Sequence, residues 1–235
     1  GGGVKCWGRN SFGQLGDGTT TQRLIPVDVN GLTNGVIAVA AGVGHTCALT
    51  AGGGVKCWGR NSFGQLGDGL TTDRPTPADV SGLTSGVVAI AAGGFHTCAL
   101  TTGGGVKCWG RNSEDGQLGD GSLTDRVTPV DVSGLTSGVT AMAAGFAHTC
   151  ALTTNSAAIR VVKCWGRNNS GQLGDGTTTD RLTPVDVGGL TSGVNVIAAG
   201  GGHTCALTTG GGVQCWGSNA SGGLGDGTTT QRVTP

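Results

Sequence analysis

Residues 40–69 read AAGVGHTCALTAGGGVKCWGRNSFGQLGDG. Two short apolar runs, His45–Thr50 and Val55–Trp58, flank the turn Ala51-Gly52-Gly53-Gly54. Short apolar runs punctuated by glycine predict an antiparallel hairpin. The same wording returns along the chain. Its second half, GGGVKCWGRNSFGQLGDG, stands letter for letter at Gly1–Gly18 and Gly52–Gly69. The tryptophans Trp7, Trp58, Trp109, Trp165 and Trp216 follow one another at intervals of 51, 51, 56 and 51 residues. One extra residue in Ser113-Glu114-Asp115-Gly116, and a four-residue lengthening of a hairpin at Asn155–Arg160, account for the long interval. Both insertions fall between patterned segments, where loops tolerate them. A period of this length marks a stacked repeat architecture.

Each unit reads as four short strands. In the first full set these are Val36–Ala41, His45–Thr50, Val55–Trp58 and, after a long loop, a brief strand near Pro77–Val80. A four-stranded antiparallel sheet cannot bury both faces alone, whereas sheets stacked radially bury them against one another. The expected class is all-β, with Trp58 and its equivalents wedged between neighbouring sheets. The chain holds 50 glycines in 235 residues, and their fixed offsets assign them to turns rather than to a disordered tract. No stretch has the period of a long amphipathic helix, no apolar run reaches transmembrane length, and no signal peptide is visible. The register divides the chain into a half-unit, 1–35, and four units, 36–86, 87–138, 139–193 and 194–235.

The phrases A-A-G-x-x-H-T-C-A-L-T and V-K-C-W-G-R-N-x-x-G-Q-L-G-D-G-T, which recur across essentially the whole chain, resemble the RCC1 (regulator of chromosome condensation) repeat, in particular its bacterial form with C-A-L…C-W-G. The resemblance implies an RCC1-like β-propeller of four-stranded antiparallel blades, here four blades plus an N-terminal half-blade, with faces and rim that bind proteins. Members serve as a nucleotide exchange factor, a light sensor or a secreted β-lactamase inhibitor, and fold alone does not choose among them. No insertion here is large enough for the projecting wedge of the exchange factor. The light sensor's tryptophans are replaced at the G-x-x-H-T turn by Val43-Gly44, Gly94-Phe95, Phe146-Ala147 and Gly201-Gly202.

Eight of the nine cysteines fall into hairpin couples: Cys47 with Cys57, Cys98 with Cys108, Cys150 with Cys164, and Cys205 with Cys215. About a turn centred on Gly52, Cys47 faces Cys57 just as Leu49 faces Val55. The lengthened hairpin keeps Cys150 opposite Cys164. Opposed strand residues lie ~4.5–5.5 Å apart at Cα, within reach of a disulfide. Four cross-strand disulfides are therefore expected, which would place the chain outside the reducing cytosol. The alternatives are small buried hydrophobes in a reducing compartment, or zinc ligands, although a spacing of ten departs from the usual C-x₂₋₄-C. Cys6 occupies a third-strand position and has no mate. Its partner strand would precede Gly1, so a longer array or a second chain is expected to complete the half-blade.

His45, His96, His148 and His203 come one per unit, each before a threonine, and read as hydrogen-bonding residues at strand starts rather than as a metal ring. The L-G-D-G aspartates Asp17, Asp68, Asp120, Asp175 and Asp226 each precede an arginine by six residues. An Asx-turn with an Asp–Arg pair explains them better than calcium, which gathers several carboxylates. Every Ser, Thr and His belongs to the repeated frame, so no asymmetric catalytic constellation stands out, and neither cofactor nor metal is expected. The formal net charge is zero, which does not favour nucleic acid, although Arg60, Arg111, Lys56 and Lys107 could form one basic ridge. Asn168-Asn169-Ser170 and Asn219-Ala220-Ser221 match the glycosylation acceptor.

Selective binding belongs where the repeats differ. Phe12, Phe63, Phe95 and Phe146 in turns, with Ile159 and Arg160 in the insertion, are the candidate interface. The leading expectation is a non-enzymatic, disulfide-stapled interaction propeller, extracellular or at the cell surface, with a protein partner. A structural subunit of a fibre or surface assembly, completed by intermolecular strand pairing, is the alternative. A regulator of a small GTPase of the exchange-factor kind is the third.

Overall fold

The computed structural model describes residues 2–154 and 159–235, and their regular structure is β-strand throughout. The chain divides into two compact units. The first holds residues up to Thr102 with Lys107–Arg111 and Asp125–Val130; the second holds Gly103–Val106, Asn112–Thr124 and Asp131–Pro235.

The first unit opens with β1 (Lys5–Gly8) and β2 (Arg23–Asp28), which form a two-stranded sheet among the described residues. Next comes an antiparallel sheet of β3 (Val36–Ala41), β4 (His45–Thr50), β5 (Val55–Gly59) and β6 (Arg74–Asp79), in chain order. A second sheet repeats it with β7 (Val87–Ala92), β8 (His96–Thr101), β9 (Val106–Gly110) and β10 (Arg126–Asp131), which lie almost wholly in this unit. The second unit contains a four-stranded sheet, β11 (Val139–Ala144), β12 (His148–Thr154), β13 (Arg160–Gly166) and β14 (Arg181–Asp186). It also contains a three-stranded sheet, β15 (Val194–Ala199), β16 (His203–Thr208) and β17 (Val213–Gly217). In that last sheet the fourth strand is reduced to a single bridge between Gly217 and Arg232.

The hairpin register is the one that a turn centred on Gly52 requires. Across β4 and β5, Thr46 faces Trp58, Cys47 faces Cys57 and Leu49 faces Val55. In β12 and β13, Cys150 still faces Cys164, and the ladder runs on to Thr154 opposite Arg160. The remainder of that insertion, 155–158, lies outside the described residues. The fourth strand departs from expectation: it spans Arg74–Asp79, not Pro77–Val80. Pro75 and Pro77 are tolerated because β6 is an edge strand, where a missing amide donor costs no ladder bond. Val80 instead turns inward, fully buried, and its amide donates to the Val55 carbonyl at 3.0 Å.

In the sheet β3–β6 the middle strands β4 and β5 are largely buried on both faces, whereas β3 alternates buried and exposed positions. In the first unit, Cys47, Leu49, Cys57, Leu66, Val80 and Trp109 belong to one core cluster. In the second, Cys150, Leu152, Cys164, Leu173, Val187 and Trp216 form its counterpart.

One loop carbonyl ties each repeat to the next. The Gln14 carbonyl accepts from Thr46 Oγ1 and Trp58 Nε1, both at 3.0 Å, and Gln65 receives Thr97 and Trp109 in the same way. In the second unit Gln117 holds Thr149 and Trp165, and Gln172 holds Thr204 and Trp216. The following glycine is dictated by the indole: a Cβ on Gly67 would sit 2.7 Å from Trp109 Nε1, and its φ of +71° lies in the left-handed region.

Candidate protein-interaction surface

Most polar side chains are consumed by the repeated frame. Asp17 Oδ1 accepts from the Thr19 amide and hydroxyl, and its Oδ2 accepts from Arg23 Nε at 2.7 Å. Burial opposes the charge on Asp17, but the bonds from Thr19 and Arg23 prevail and hold its carboxyl down at about 2. Asp175 repeats the arrangement with Thr177 and Arg181. The asparagine after W-G-R pins the same loop. Asn168 is fully buried, its Oδ1 accepts from the Leu173 amide, and its Nδ2 donates to Asp175, Thr177 and Thr179. Asn219 does the same work with Leu224, Asp226 and Thr228. Both acceptor asparagines of the glycosylation matches thus point inward, and a glycan on either would dismantle its loop.

The histidines reach further than the turn they begin. His45 Nε2 bonds Thr97 Oγ1 at 2.9 Å, one repeat ahead, and His148 does the same with Thr204. The ring of His45 fits because Gly42 has no side chain: a Cβ there would overlap the imidazole. Complete burial pushes both His45 and His148 down to about 4, so both are neutral at physiological pH. Among the described residues no group of three or more His, Cys, Asp or Glu is placed to hold a metal ion.

The structure joins Cys47 to Cys57, Cys98 to Cys108, Cys150 to Cys164 and Cys205 to Cys215, each with Cα atoms 4.1 Å apart. Cys6 is a half-buried free thiol that burial pushes up. Beside it Trp7 is 61% exposed, whereas the other four tryptophans are fully buried. Cys6, Trp7, Val39 and Val43 line a groove of about 440 Å³ along β1.

What remains is an alternation of arginine and phenylalanine in the first unit. The Arg60 guanidinium lies over three rings, 5.1 Å from the centre of Phe12, 5.8 Å from Phe63 and 5.2 Å from Phe95. Arg9 also lies over Phe12, at 5.5 Å, and Arg111 over Phe63, at 5.3 Å. Phe63 meets Phe95 edge to face at 5.6 Å. Each exposed cation–π contact is worth about 0.5–1 kcal/mol, so Arg60 is held by several such terms at once. Its Nε donates to Ser62 Oγ, and Arg9 Nε to Ser11 Oγ, both at 3.0 Å. These bonds fix the guanidinium planes.

The sequence pointed to the phenylalanines and placed Arg60 beside Arg111, but it missed Arg9. Lys56 is occupied by Asp79 at 2.6 Å, so it adds little to a ridge with Arg60. The overlooked signal was R-N-S-F itself: arginine from one repeat reaches the phenylalanine of the repeat before it. The second unit keeps the frame and changes the content. Arg167 is the counterpart of Arg60, and Asp115 replaces the turn phenylalanine before it; the two approach to 3.9 Å. Phe146 is 39% exposed there, Ile159 is exposed to a similar degree, and Arg160 is exposed at the start of β13.

Comparison with known proteins identifies the frame. The profile of the RCC1-like domain family matches residues 1–235. The chain is 37% identical over 204 residues to the ultraviolet-B receptor UVR8 of Arabidopsis thaliana, an alignment covering 85% of this chain and 45% of that protein. It is 39% identical over 190 residues to the probable E3 ubiquitin-protein ligase HERC4 of Homo sapiens, covering 79% of this chain and 18% of that protein. The chain therefore spans less than half the length of either relative. Among solved structures, human WBSCR16 matches with a TM-score of 0.85 at 28% identity, over 100% of this chain and 62% of that one. Yeast RCC1 (Prp20), solved bound to Kap60, matches with a TM-score of 0.81 at 26% identity, over 99% of this chain and 57% of that one. The antiparallel sheets described above are thus blades of an RCC1-like β-propeller. On this agreement of profile, relatives and fold, the chain belongs to the RCC1-like domain family.

Proposed function

We propose that this chain is a protein-interaction propeller without catalytic function, working outside the reducing cytosol and gripping its partner through the Arg–Phe face of the first unit. The observation that carries the reading is the stack of Arg60 on Phe12, Phe63 and Phe95. The frame uses its Asp, Asn, His and Thr side chains to hold the loops, whereas this stack presents rigid aromatic and guanidinium surface, the residue types that anchor interfaces. Four fully or largely buried disulfides support an oxidising compartment. A binding role also suits the company it keeps, since yeast RCC1 is itself seen bound to a protein.

Two measurements test this. Partners captured from extracellular and envelope fractions of the native host by the wild-type chain should be lost by the R60A/F63A variant, shown to be folded at the capture temperature by circular dichroism; identical capture would overturn the interaction reading. Alkylation in denaturant without reductant should modify Cys6 alone, whereas modification of all nine cysteines in protein taken from its native compartment would overturn the location.

A second reading is a subunit of an extracellular fibre or surface assembly, favoured by the groove along β1. There Trp7 is largely exposed, and the groove beside Cys6 has room for an added strand. Light scattering over a concentration series tests it: growing particles support it, and a monomer at every concentration removes it.

A further inference from the structure

We infer that the Arg–Phe face of the first unit takes an acidic segment of a protein partner, bound extended, with partner carboxylates meeting the outward edges of Arg9 and Arg60. This rests on the interaction reading above and adds the chemical class of the ligand.

Three observations on the chain's arginines support it. The L-G-D-G arginines are neutralised at home: Arg23 by Asp17, Arg74 by Asp68, Arg181 by Asp175 and Arg232 by Asp226. Among the described residues, no carboxylate lies within ion-pair distance of Arg9 or Arg60; each has a serine on Nε and phenylalanine against its plane. Two cations are therefore held close together, both on the Phe12 ring and so within about 11 Å of each other. Arg111 shares Phe63 with Arg60 and continues the row.

The chain also contains its own precedent. Arg167 occupies the position of Arg60 in the second unit, and there the preceding repeat supplies Asp115 in place of phenylalanine, 3.9 Å from Arg167 Nε. The frame thus already offers this arginine to a carboxylate where one is provided. In the first unit the rings occupy the planes, and a carboxylate must come from outside.

Geometry narrows the ligand. A guanidinium stacked by its face keeps its in-plane N–H donors, which match a carboxylate two at a time. Same-face side chains of an extended segment recur about every 6.4–6.8 Å, a spacing that long Arg and Glu side chains adapt to the row. A nucleic acid fits less well. The net charge is zero, and the neutralised L-G-D-G arginines leave no long track of cations for successive phosphates.

The test is fluorescence anisotropy on the full chain with three labelled peptides of about a dozen residues, alternating Glu, Gln or Lys with Thr, and with an oligothymidylate of similar length. The Glu peptide is expected to bind at least about tenfold more tightly than the Gln peptide, with no binding of the Lys peptide and weakening as salt rises. The R9Q/R60Q variant should lose that preference while keeping its strands by far-ultraviolet circular dichroism and a cooperative melt. S11A/S62A, which frees the guanidinium planes without removing charge, should weaken it by a smaller factor. Failure of the Glu peptide to bind, equal binding of Glu and Gln peptides, unchanged binding by R9Q/R60Q, or tighter binding of the oligothymidylate would each overturn the inference. If these fail while R60A/F63A still loses a captured native partner, the interaction reading stands and only the acidic class falls.

Discussion

At the scale of single residues, equivalent letters have unequal worth because their surroundings differ. Trp58 is fully buried with its indole N–H bonded to Gln14, whereas Trp7 is largely exposed. Trp58→Ala is expected to cost about 3–5 kcal/mol and Trp7→Ala less than about 0.5 kcal/mol, measured as denaturant midpoints. Histidine gives a second contrast, with pH. His45 and His148 stay neutral in the fold down to about 4, against an ordinary value of 6.5. Between those values the unfolded chain binds more protons than the folded one, so stability falls as pH drops from about 6.5 towards 4. The loss from these groups is complete near pH 4, and Asp17, held at about 2, adds its own loss below 3.8. Urea midpoints measured from pH 7 to pH 4 check this; H45N/H148N should flatten the slope over that range, and a slope unchanged by the double variant would refute the assignment. The identities of these residues were legible from sequence. The reach of His45 to Thr97 was not, because it joins positions a full repeat apart.

At the scale of elements, the hairpin and the long loop are separate stabilising devices. Each disulfide closes a short loop, and the C98A/C108A double variant is expected to lose about 2–4 kcal/mol while keeping its strands by far-ultraviolet circular dichroism. The loop depends on its asparagine. Asn168→Ala removes an acceptor from the buried Leu173 amide and a donor from the Asp175 loop, at an expected cost of about 1–3 kcal/mol. Thermal melts distinguish this from a surface substitution such as Asn169→Ala, which should be near neutral. Strand pairing was legible because Cys47 and Cys57 mirror each other about Gly52, and an inserted loop did not disturb the mirror at Cys150 and Cys164. The fourth strand was misplaced because Arg74–Asp79 carries two prolines and no apolar alternation. Pairing of Gly59 with Arg74, across a register shift, sets its limits instead.

At the scale of the whole molecule, a formal net charge of zero at pH 7 leaves little charge repulsion between copies. Solubility is expected to be lowest near neutral pH and to rise on either side. Turbidity of concentrated protein across a pH series checks this, and a featureless profile would contradict it. The same neutrality is unevenly distributed, since the L-G-D-G pairs cancel locally and leave Arg9 and Arg60 as concentrated positive charge beside aromatic rings. That local excess, rather than the total, is where the proposed recognition is placed.

The repeat period, the strand pairing, the cysteine couples and membership of the family were determined by sequence alone. Each of these is written in short, regular spacings that backbone hydrogen bonding and side-chain alternation must obey. The tertiary structure alone decided which polar residues were already committed and which were left over. Asn168 is a buried pin rather than a glycan site, Lys56 belongs to Asp79, and Arg60 belongs to three phenylalanines from different repeats. Such commitments depend on distances between residues far apart in the chain, which only the packing of sheet on sheet brings together.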